Sequence, residues 1–278
     1  MSTTLLTCQS LQDRRGGVLE YISPTRLNSW TACPLKFKLQ YIDGIRLPTT
    51  PSLFLGKCCH WALEVFYRHR MVGVTLEASD VVRRLEDSWG QMVEDEGMTF
   101  GSADDEQSLK KQTADLVRAY IAQVPADEPR PLAVEALMEA PLVDPAGGED
   151  LGIPLVGIVD LVLDGDAGPT IIDFKTAARG GTLLEISHEV QLSSYAYAHR
   201  HVTGVEEGGL EIRRLIKTKT PRIDFHRYPA RTDAHFRRLF GLIREYLDTL
   251  DSGRFNFRPG WSCGMCNFQE THCRAWCG

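Results

Sequence analysis

The sequence predicts an α/β fold in which helices flank a central mixed β-sheet. Short apolar runs that are typical of strands follow one another between residues 131 and 230, with turn residues between them. Helical patterns occur before, within and after this strand region. The hydrophobic fraction of 43% and the charged fraction of 24% are those of a globular chain with a buried core. We therefore expect a single domain that spans residues 1–278.

The N-terminal part of the chain is predicted to be mainly helical. Residues 1–18 are polar and are expected to form a flexible arm. A helix capped by Ser23 is expected to continue to Tyr41, because its apolar residues recur at helical spacing. A second helix is predicted over 56–70. Residues 75–130 are helical and charged in character and show no strand pattern, so we interpret them as a helical insertion.

Strands alternate with helices in the remainder of the chain. A glycine-containing turn at 164–168 joins the second predicted strand to the third and makes them a hairpin. The last long helix is capped by Thr232 and has one apolar face. The predicted strands are 133–142, 155–163, 170–175, 210–217 and 222–228, and a helix at 187–202 lies between the third and the fourth.

Composition and charge limit the functional classes. The net charge of −6 argues against a protein that coats nucleic acid indiscriminately, although it does not exclude a local basic groove. No run approaches the ~20 apolar residues that a membrane-spanning helix needs, and the N-terminus has no signal-peptide pattern. We therefore expect a cytoplasmic protein with no membrane contact. In that compartment the eight cysteines are not expected to form disulfides.

Two aspartates and a lysine form the most informative pattern. Asp160 and Asp173 lie in the second and third predicted strands, so antiparallel pairing about the turn sets them opposite each other. Opposed side chains on one face have Cβ atoms ~5 Å apart, which suits two carboxylates that share a divalent cation. Strand alternation puts Lys175 on the face of Asp173. A solvated strand face is the alternative, but both aspartates lie in apolar runs, where burying an unpaired charge is costly.

Two helical motifs accompany this pattern. Gln191 and Tyr195 are four residues apart on a predicted helix and therefore share a face. Gly56 precedes His60 by four residues on an earlier helix; taken alone, such a histidine is more often a core or surface residue. The order G-x-x-x-H, G-x-x-D, D-x-K and Q-x-x-x-Y resembles the nuclease domains of the RecB and AddB proteins, which belong to the PD-(D/E)XK nuclease superfamily. One departure is that no proline precedes Asp160.

This resemblance implies a metal-dependent DNA nuclease with its catalytic core at 131–230. It implies hydrolysis of DNA phosphodiester bonds, in single strands or at DNA ends, by an exonuclease rather than an endonuclease. A helicase or a recombination or CRISPR protein is the implied partner, and a non-catalytic iron–sulfur or zinc DNA-binding subunit is the alternative. By the same resemblance Mg²⁺ or Mn²⁺ is bound by His60, Asp160 and Asp173, Lys175 is the catalytic lysine, and Gln191 and Tyr195 support the site or touch DNA.

The C-terminal tail holds a ligand-like array of cysteines, Cys263-x₂-Cys266-x₆-Cys273. The array needs a fourth thiolate, and the candidates are the nearby Cys277 and the distant Cys33. Zinc ribbons usually use two close C-x₂-C pairs, of which this tail offers one. The alternative for Cys33 is a small buried apolar residue.

A lone early cysteine with a late trio resembles the iron–sulfur clip of AddB and of the CRISPR-associated RecB-like exonucleases. The resemblance implies that the tail, 253–278, is paired with Cys33 through a [4Fe-4S] cluster. The interval before Cys273 is six residues rather than five, which leaves Cys277 as an alternative to it. The implied ligands are Cys33, Cys263, Cys266 and Cys273, and we interpret Cys8, Cys58 and Cys59 as structural.

Basic residues concentrate around the last two predicted strands. Such a strip is able to meet DNA phosphates, which give affinity without sequence preference. A solvent-exposed sheet edge, where lysines prevent pairing with another chain, explains this concentration of basic residues almost as well. The strip consists of Arg213, Arg214, Lys217, Lys219 and Arg222.

Overall fold

The computed structural model describes residues 17–18 and 20–277. The predicted arm, 1–18, and Cys8 lie almost wholly outside these residues. The described strands form a five-stranded sheet in the order β1-β2-β3-β4-β5, in which β3 and β4 are parallel and the other neighbours antiparallel. These strands are β1 (Pro131–Val143), β2 (Asp150–Leu163), β3 (Thr170–Ala177), β4 (Gly209–Ile216) and β5 (Arg222–Pro229).

Helices cover both faces of this sheet. They are α1 (Pro24–Ala32), α2 (Pro34–Phe37), α3 (Pro51–Met71), α4 (Ala78–Asp95), α5 (Ala103–Gln123), α6 (Glu189–Thr203) and α7 (Asp233–Ser252). The region predicted as a helical insertion contains α4 and α5. A mixed sheet flanked by helices is confirmed as the fold class.

The sheet separates two apolar cores, because neighbouring residues on a strand point to opposite faces. Ile171 packs with residues of α1, α6 and α7, whereas Ile172 packs with residues of α3, α4 and α5. Val162 and Leu161 divide between the two cores in the same way. Between the parallel strands β3 and β4 the chain crosses over through α6, as a parallel connection requires. The β2–β3 hairpin therefore has an apolar core on each side.

The first predicted helix is broken in the structure. Ser23 caps α1 as predicted, but Cys33 has extended backbone angles, with φ −165° and ψ 110°. The cause is local, because Pro34 disfavours the helical conformation of the residue before it. After α2 the chain makes a π-helical turn, Lys38–Ile42. The prediction of one continuous helix to Tyr41 is therefore wrong, and Cys33 lies at a corner between two helices.

The predicted basic strip does not present Arg213 or Arg214 to DNA. Arg213 is only 4% exposed, and its guanidinium donates hydrogen bonds to the side chains of Glu128, Tyr67 and Tyr120. The buried guanidinium of Arg214 donates to two backbone carbonyls. The expectation is wrong for these two arginines, because both side chains are buried and donate hydrogen bonds within the protein. For the other three residues of the strip it stays a prediction.

Within the described ranges, none of the helices combines the length and the apolar character that crossing a membrane requires.

Candidate active site and cysteine cluster

The β2–β3 hairpin carries the two predicted aspartates. Leu161 pairs with Ile172 at one end of the ladder, so Asp160 and Asp173 are the next residues on the two strands. The backbone N–H of Phe174 donates a 2.7 Å hydrogen bond to Oδ2 of Asp160. Asp160 is 8% exposed and Asp173 is 1% exposed. The hairpin thus brings two buried carboxylates together where its ladder ends.

Lys175, Gln191 and Tyr195 surround the Asp173 carboxylate. Nζ of Lys175 lies 2.8 Å from Oδ1 and 2.7 Å from Oδ2 of Asp173. The side-chain amide of Gln191, on α6, donates one 2.9 Å bond to Oδ1 of Asp173 and another to the hydroxyl of Tyr195. The side chain of Lys175 is 34% exposed, against 2% for Asp173. The ammonium of Lys175 therefore contacts the buried Asp173 carboxylate and is also partly exposed to solvent.

His60, on α3, faces Asp160 from the other side. Its Nδ1 lies 3.5 Å from Oδ1 of Asp160. Burial alone lowers the pKa of His60, but the Asp160 carboxylate outweighs burial and raises it to about 9. Burial in turn raises the pKa of Asp160, yet the contacts with His60 and Lys175 outweigh this and hold it below its ordinary value.

Glu135, on β1, completes this group, although the sequence analysis did not single it out. One ligand atom from each of His60, Glu135 and Asp160 lies within 4.8 Å of the other two. Val134 pairs with Leu161 and Ala136 pairs with Val159, so Glu135 lies opposite Asp160 on β2. Its φ of 46° lies in the left-handed region, which costs a residue other than glycine of order 1–3 kcal/mol and is held only by its surroundings. A carboxylate inside an apolar strand was the sequence signal that could have drawn attention to Glu135. Its proximity to Asp160, however, depends on the β1–β2 register.

This donor set suits a small divalent cation. Carboxylate oxygens are the ordinary ligands of Mg²⁺ and Mn²⁺, whereas an imidazole nitrogen is more typical of transition-metal ions. Burial, and then repulsion from Asp160, raises the pKa of Glu135 to about 8. Burial also raises the pKa of Asp173 to about 6, although Lys175 opposes this shift. A bound cation relieves such crowding of buried carboxylates, because it supplies the missing positive charge.

Two glycines of the sequence motifs allow close approaches around the site. A Cβ added at Gly157 on β2 would lie 3.3 Å from the Tyr195 ring. A Cβ added at Gly56 on α3 would lie 3.2 Å from the hydroxyl of Thr176 on β3. Both contacts are tighter than side chains normally tolerate. The glycines therefore let the Tyr195 ring lie against β2 and let α3 approach β3, which brings His60 to the carboxylates.

A surface cavity of about 650 Å³ leads to these residues. His60, Glu135 and Lys175 line it, together with Glu64. Glu64 forms an ion pair of 2.7 Å with Arg68 on the same helix. The cavity gives a substrate access to the charged group from solvent.

Comparison with known proteins identifies the family. A family model described as the PD-(D/E)XK nuclease superfamily matches residues 21–274. The chain belongs to this superfamily. No curated protein matches it.

Solved structures match this PD-(D/E)XK chain, and one with a TM-score above 0.5 is similar to it in fold. One is a "Putative exonuclease" from Eubacterium rectale, which is 15% identical, with a TM-score of 0.54 and coverage of 92% of this chain and 87% of that one. Another, named SSO0001, is 13% identical, with a TM-score of 0.37 and coverage of 84% and 91% respectively.

The PD-(D/E)XK chain also brings its early cysteine to the tail. A cavity of about 250 Å³ is lined by the four predicted cluster residues. The backbone N–H groups of Arg258 and Gly260 donate to the sulfurs of Cys33 and Cys263, at 3.4 Å each. Burial, and then the neighbouring thiols, raises the pKa of Cys273. The four residues are Cys33, Cys263, Cys266 and Cys273.

The spacing of these sulfurs is wider than a zinc site requires. In the described part of the chain, no three cysteines bring their sulfurs within 4.8 Å of one another. Four thiolates on one zinc ion, each ~2.3 Å from it, lie only ~3.8 Å apart. An iron–sulfur cluster has several iron atoms, each with its own thiolate, and therefore fits wider spacing.

Three other described cysteines, Cys58, Cys59 and Cys277, do not line this cavity. Cys277 is exposed, and its sulfur contacts the carbonyl of Ala275 at 3.6 Å. Cys58 and Cys59 are fully buried in the core beneath α3. Burial raises the pKa of Cys58 to about 12, so its thiol stays protonated at neutral pH.

Proposed function

We propose that this chain is a divalent-metal-dependent DNA exonuclease that hydrolyses phosphodiester bonds. The observation that carries the proposal is the convergence of His60, Glu135 and Asp160 within 4.8 Å, beside Lys175 at an open cavity. A metal-dependent site that hydrolyses phosphodiesters needs side-chain ligands for the cation, and a positive charge near the phosphate assists the reaction. Membership of the PD-(D/E)XK nuclease superfamily supports the same reaction.

The roles of the chain's own residues follow from their contacts. We assign Mg²⁺ or Mn²⁺ to His60, Asp160 and Asp173, with Glu135 as an additional ligand. When bound there, the cation supplies charge neutralisation and an acidified water for the attack. Lys175 holds the phosphate or the attacking water, because its ammonium emerges from Asp173 into the cavity.

Gln191 and Tyr195 act as positioning residues in this proposal. The amide of Gln191 bridges the carboxylate of Asp173 and the hydroxyl of Tyr195. Because Asp173 also contacts Lys175, this bridge limits the rotation of both charged side chains. Precise placement of a charged group is what electrostatic stabilisation of a transition state depends on.

We further propose that Cys33, Cys263, Cys266 and Cys273 hold a structural [4Fe-4S] cluster. Their lining of one cavity and the wide spacing of their sulfurs support this assignment. Cys277 does not line that cavity, which favours Cys273 as the ligand. The Eubacterium rectale protein carries the name "Putative exonuclease", which agrees with attack from DNA ends. A helicase or a recombination or CRISPR partner, as in RecB-like proteins, stays part of the proposal.

The test uses anaerobically purified protein and labelled DNA in linear and covalently closed forms. Linear single- and double-stranded DNA, labelled at one end, is incubated with Mg²⁺, Mn²⁺, Ca²⁺ or excess chelator. We expect cleavage of linear DNA with Mg²⁺ or Mn²⁺, no cleavage with Ca²⁺ or chelator, and survival of single-stranded circles. Ca²⁺ fails because it accepts longer and less regular coordination, so it positions water and phosphate less well.

Three outcomes contradict parts of this proposal. Cleavage of closed circles at the rate of linear DNA excludes an exonuclease. Equal cleavage in excess chelator excludes a metal-dependent reaction. Binding of DNA without cleavage under every metal condition identifies the non-catalytic DNA-binding subunit instead.

A further inference from the structure

A second, larger cavity adjoins the active-site cavity. It has a volume of about 920 Å³ and runs between the segment from Tyr21 to Pro48, strand β2 and the C-terminal tail. We call it the Tyr41 groove. It shares Thr50, Leu53 and Lys57 with the active-site cavity, so the two form one continuous depression. The ring of Tyr195 lines the groove as well, close to the carboxylates.

The charge of the Tyr41 groove is opposite to that of the whole protein. The chain has 37 acidic and 31 basic residues, yet among the residues that the structure describes, none of those lining the groove is acidic. The basic residues that line it are Arg26, Lys36, Arg46 and Lys57. Lys57 is paired with Glu96. In the described ranges Lys36 and Arg46 make no ion pair, so their charges are available to an anionic ligand.

The groove also offers flat and apolar surfaces beside these charges. Tyr41 packs one side of its ring on Phe37, with the ring centroids 5.2 Å apart, and is half-buried in the groove wall. Met265, in the tail, is 72% exposed and lines the same space. Single-stranded nucleic acid presents its bases to such surfaces, whereas a duplex keeps its base faces stacked inside.

We propose that the Tyr41 groove binds a single DNA strand and leads it to the active site. This inference rests on the proposed nuclease function and adds the path of the substrate. Lys36 and Arg46 contact phosphates on the part of the strand remote from the cleaved bond, and Tyr41 and Met265 contact bases. Charges alternating with stacking surfaces bind such strands with little sequence preference.

The cysteine-bearing tail forms one wall of this path. Lys36, Met265 and Phe268 line both the Tyr41 groove and the cavity of the four cysteines. Phe268 is 2% exposed and packs with Leu35 of α2. Contacts that hold the tail against α2 therefore also determine the width of the Tyr41 groove.

The test removes the two unpaired charges together, as Lys36→Gln with Arg46→Gln. The matched control is Lys111→Gln with Arg84→Gln, which removes the same two side-chain types from exposed positions on α5 and α4. Binding of a fluorescent oligothymidylate and of a duplex is measured by anisotropy in Ca²⁺ at several salt concentrations. We expect the groove variant to bind the single strand about tenfold or more weakly, with its salt slope reduced by about 0.7 for each phosphate that is no longer neutralised. The control is expected to match the parent.

In Mg²⁺ the weaker binding is expected to appear in KM for the single strand rather than in kcat. Unchanged single-strand affinity and salt slope in the groove variant overturn the proposal. An equal reduction in affinity for duplex and single strand also overturns it, because the groove then does not select unpaired bases. If the parent binds through the groove but cleaves nothing with Mg²⁺ or Mn²⁺, the proposed hydrolysis fails while the binding path stands. If the parent cleaves and the variant binds normally, only the path fails.

Discussion

At the scale of single residues, the site is a group of buried charges that lie in contact with one another. Asp173 is almost inaccessible to solvent, and its oxygens contact Lys175 and Gln191. A buried carboxylate without such partners would be costly. The same contacts hold the ammonium of Lys175 at the wall of the cavity, so the stability of the site and the proposed chemistry depend on the same side chains.

Lys175→Ala is expected to lower the rate of DNA cleavage by at least about 100-fold, because it removes a charge that is placed for the transition state. The fold is expected to survive, since Gln191 still donates to Asp173. Single-turnover cleavage in Mg²⁺ gives the rate, and circular dichroism with DNA binding in Ca²⁺ checks the fold. Lys111→Ala, an exposed lysine on α5, serves as the control. Cleavage by Lys175→Ala at the parental rate would mean that the assigned site is wrong.

Glu135→Gln is expected to weaken Mn²⁺ binding at least about tenfold, because it removes one charged ligand of the group and keeps its shape. A ligand that binds only the native state raises the unfolding temperature, so a titration of Tm with Mn²⁺ measures the affinity. Glu64→Gln is the matched control, since Glu64 lines the same cavity but lies outside the group. If both variants respond to Mn²⁺ like the parent, Glu135 is not a ligand.

At the scale of elements, a buried ionic network joins α3, the segment after α5 and β4. Arg213 contacts Tyr67 on α3, Tyr120 on α5 and Glu128 in the segment that follows α5. Arg70 on α3 also contacts Glu128. Arg213 is therefore structural, because its side chain is only 5% exposed and bonds to these neighbours.

Arg213→Ala is expected to lower the free energy of unfolding by about 3–5 kcal/mol, because it leaves Glu128 buried without its inner partner. Arg83→Ala removes an exposed ion pair with Asp80 and is expected to cost no more than about 1 kcal/mol. Urea unfolding of both variants, with equal m values, gives the comparison. Equal reductions in the two variants would show that the network contributes no more than a surface pair.

At the scale of the whole molecule, the segment of α1 and α2 meets the segment that follows α7. The backbone N–H of Leu35 donates to the carbonyl of Asn256 at 3.2 Å, and Arg258 contacts the backbone of Thr31. The proposed cluster joins the same two regions through Cys33 and Cys263. By analogy with a disulfide that closes a long loop, such a link contributes roughly 5 kcal/mol. Many domains have a total stability of only ~5–15 kcal/mol.

Cys33→Ala is therefore expected to remove iron and brown colour together and to make both ends of the chain sensitive to protease. Iron content, visible absorbance and limited proteolysis of anaerobic preparations measure the three effects. Cys277→Ala is the matched control and is expected to keep the colour, because Cys277 lies outside the cavity. Zinc at full occupancy without iron would overturn the cluster. If Cys277→Ala is colourless and Cys273→Ala is brown, the third ligand from the tail is Cys277 and not Cys273.

Local periodicity in the amino-acid sequence accounts for one part of this protein. The helical spacing from Gly56 to His60 and the alternation from Asp173 to Lys175 follow from the geometry of a helix and a strand. A short turn sets the β2–β3 register, so the proximity of Asp160 to Asp173 was predictable. The break at Cys33 was also readable, since Pro34 causes it locally.

Tertiary packing determines which distant residues meet. Glu135 joins His60 and Asp160 through the register of β1 on β2, and a shift of one residue would turn its side chain to the other face. Arg213 is structural because α3 and the segment after α5 cover β4, which no local pattern reveals. The Tyr41 groove exists because the N-terminal helices, β2 and the tail converge. Contacts between segments far apart in sequence depend on the packing of the whole chain, and periodicity along one segment does not encode them.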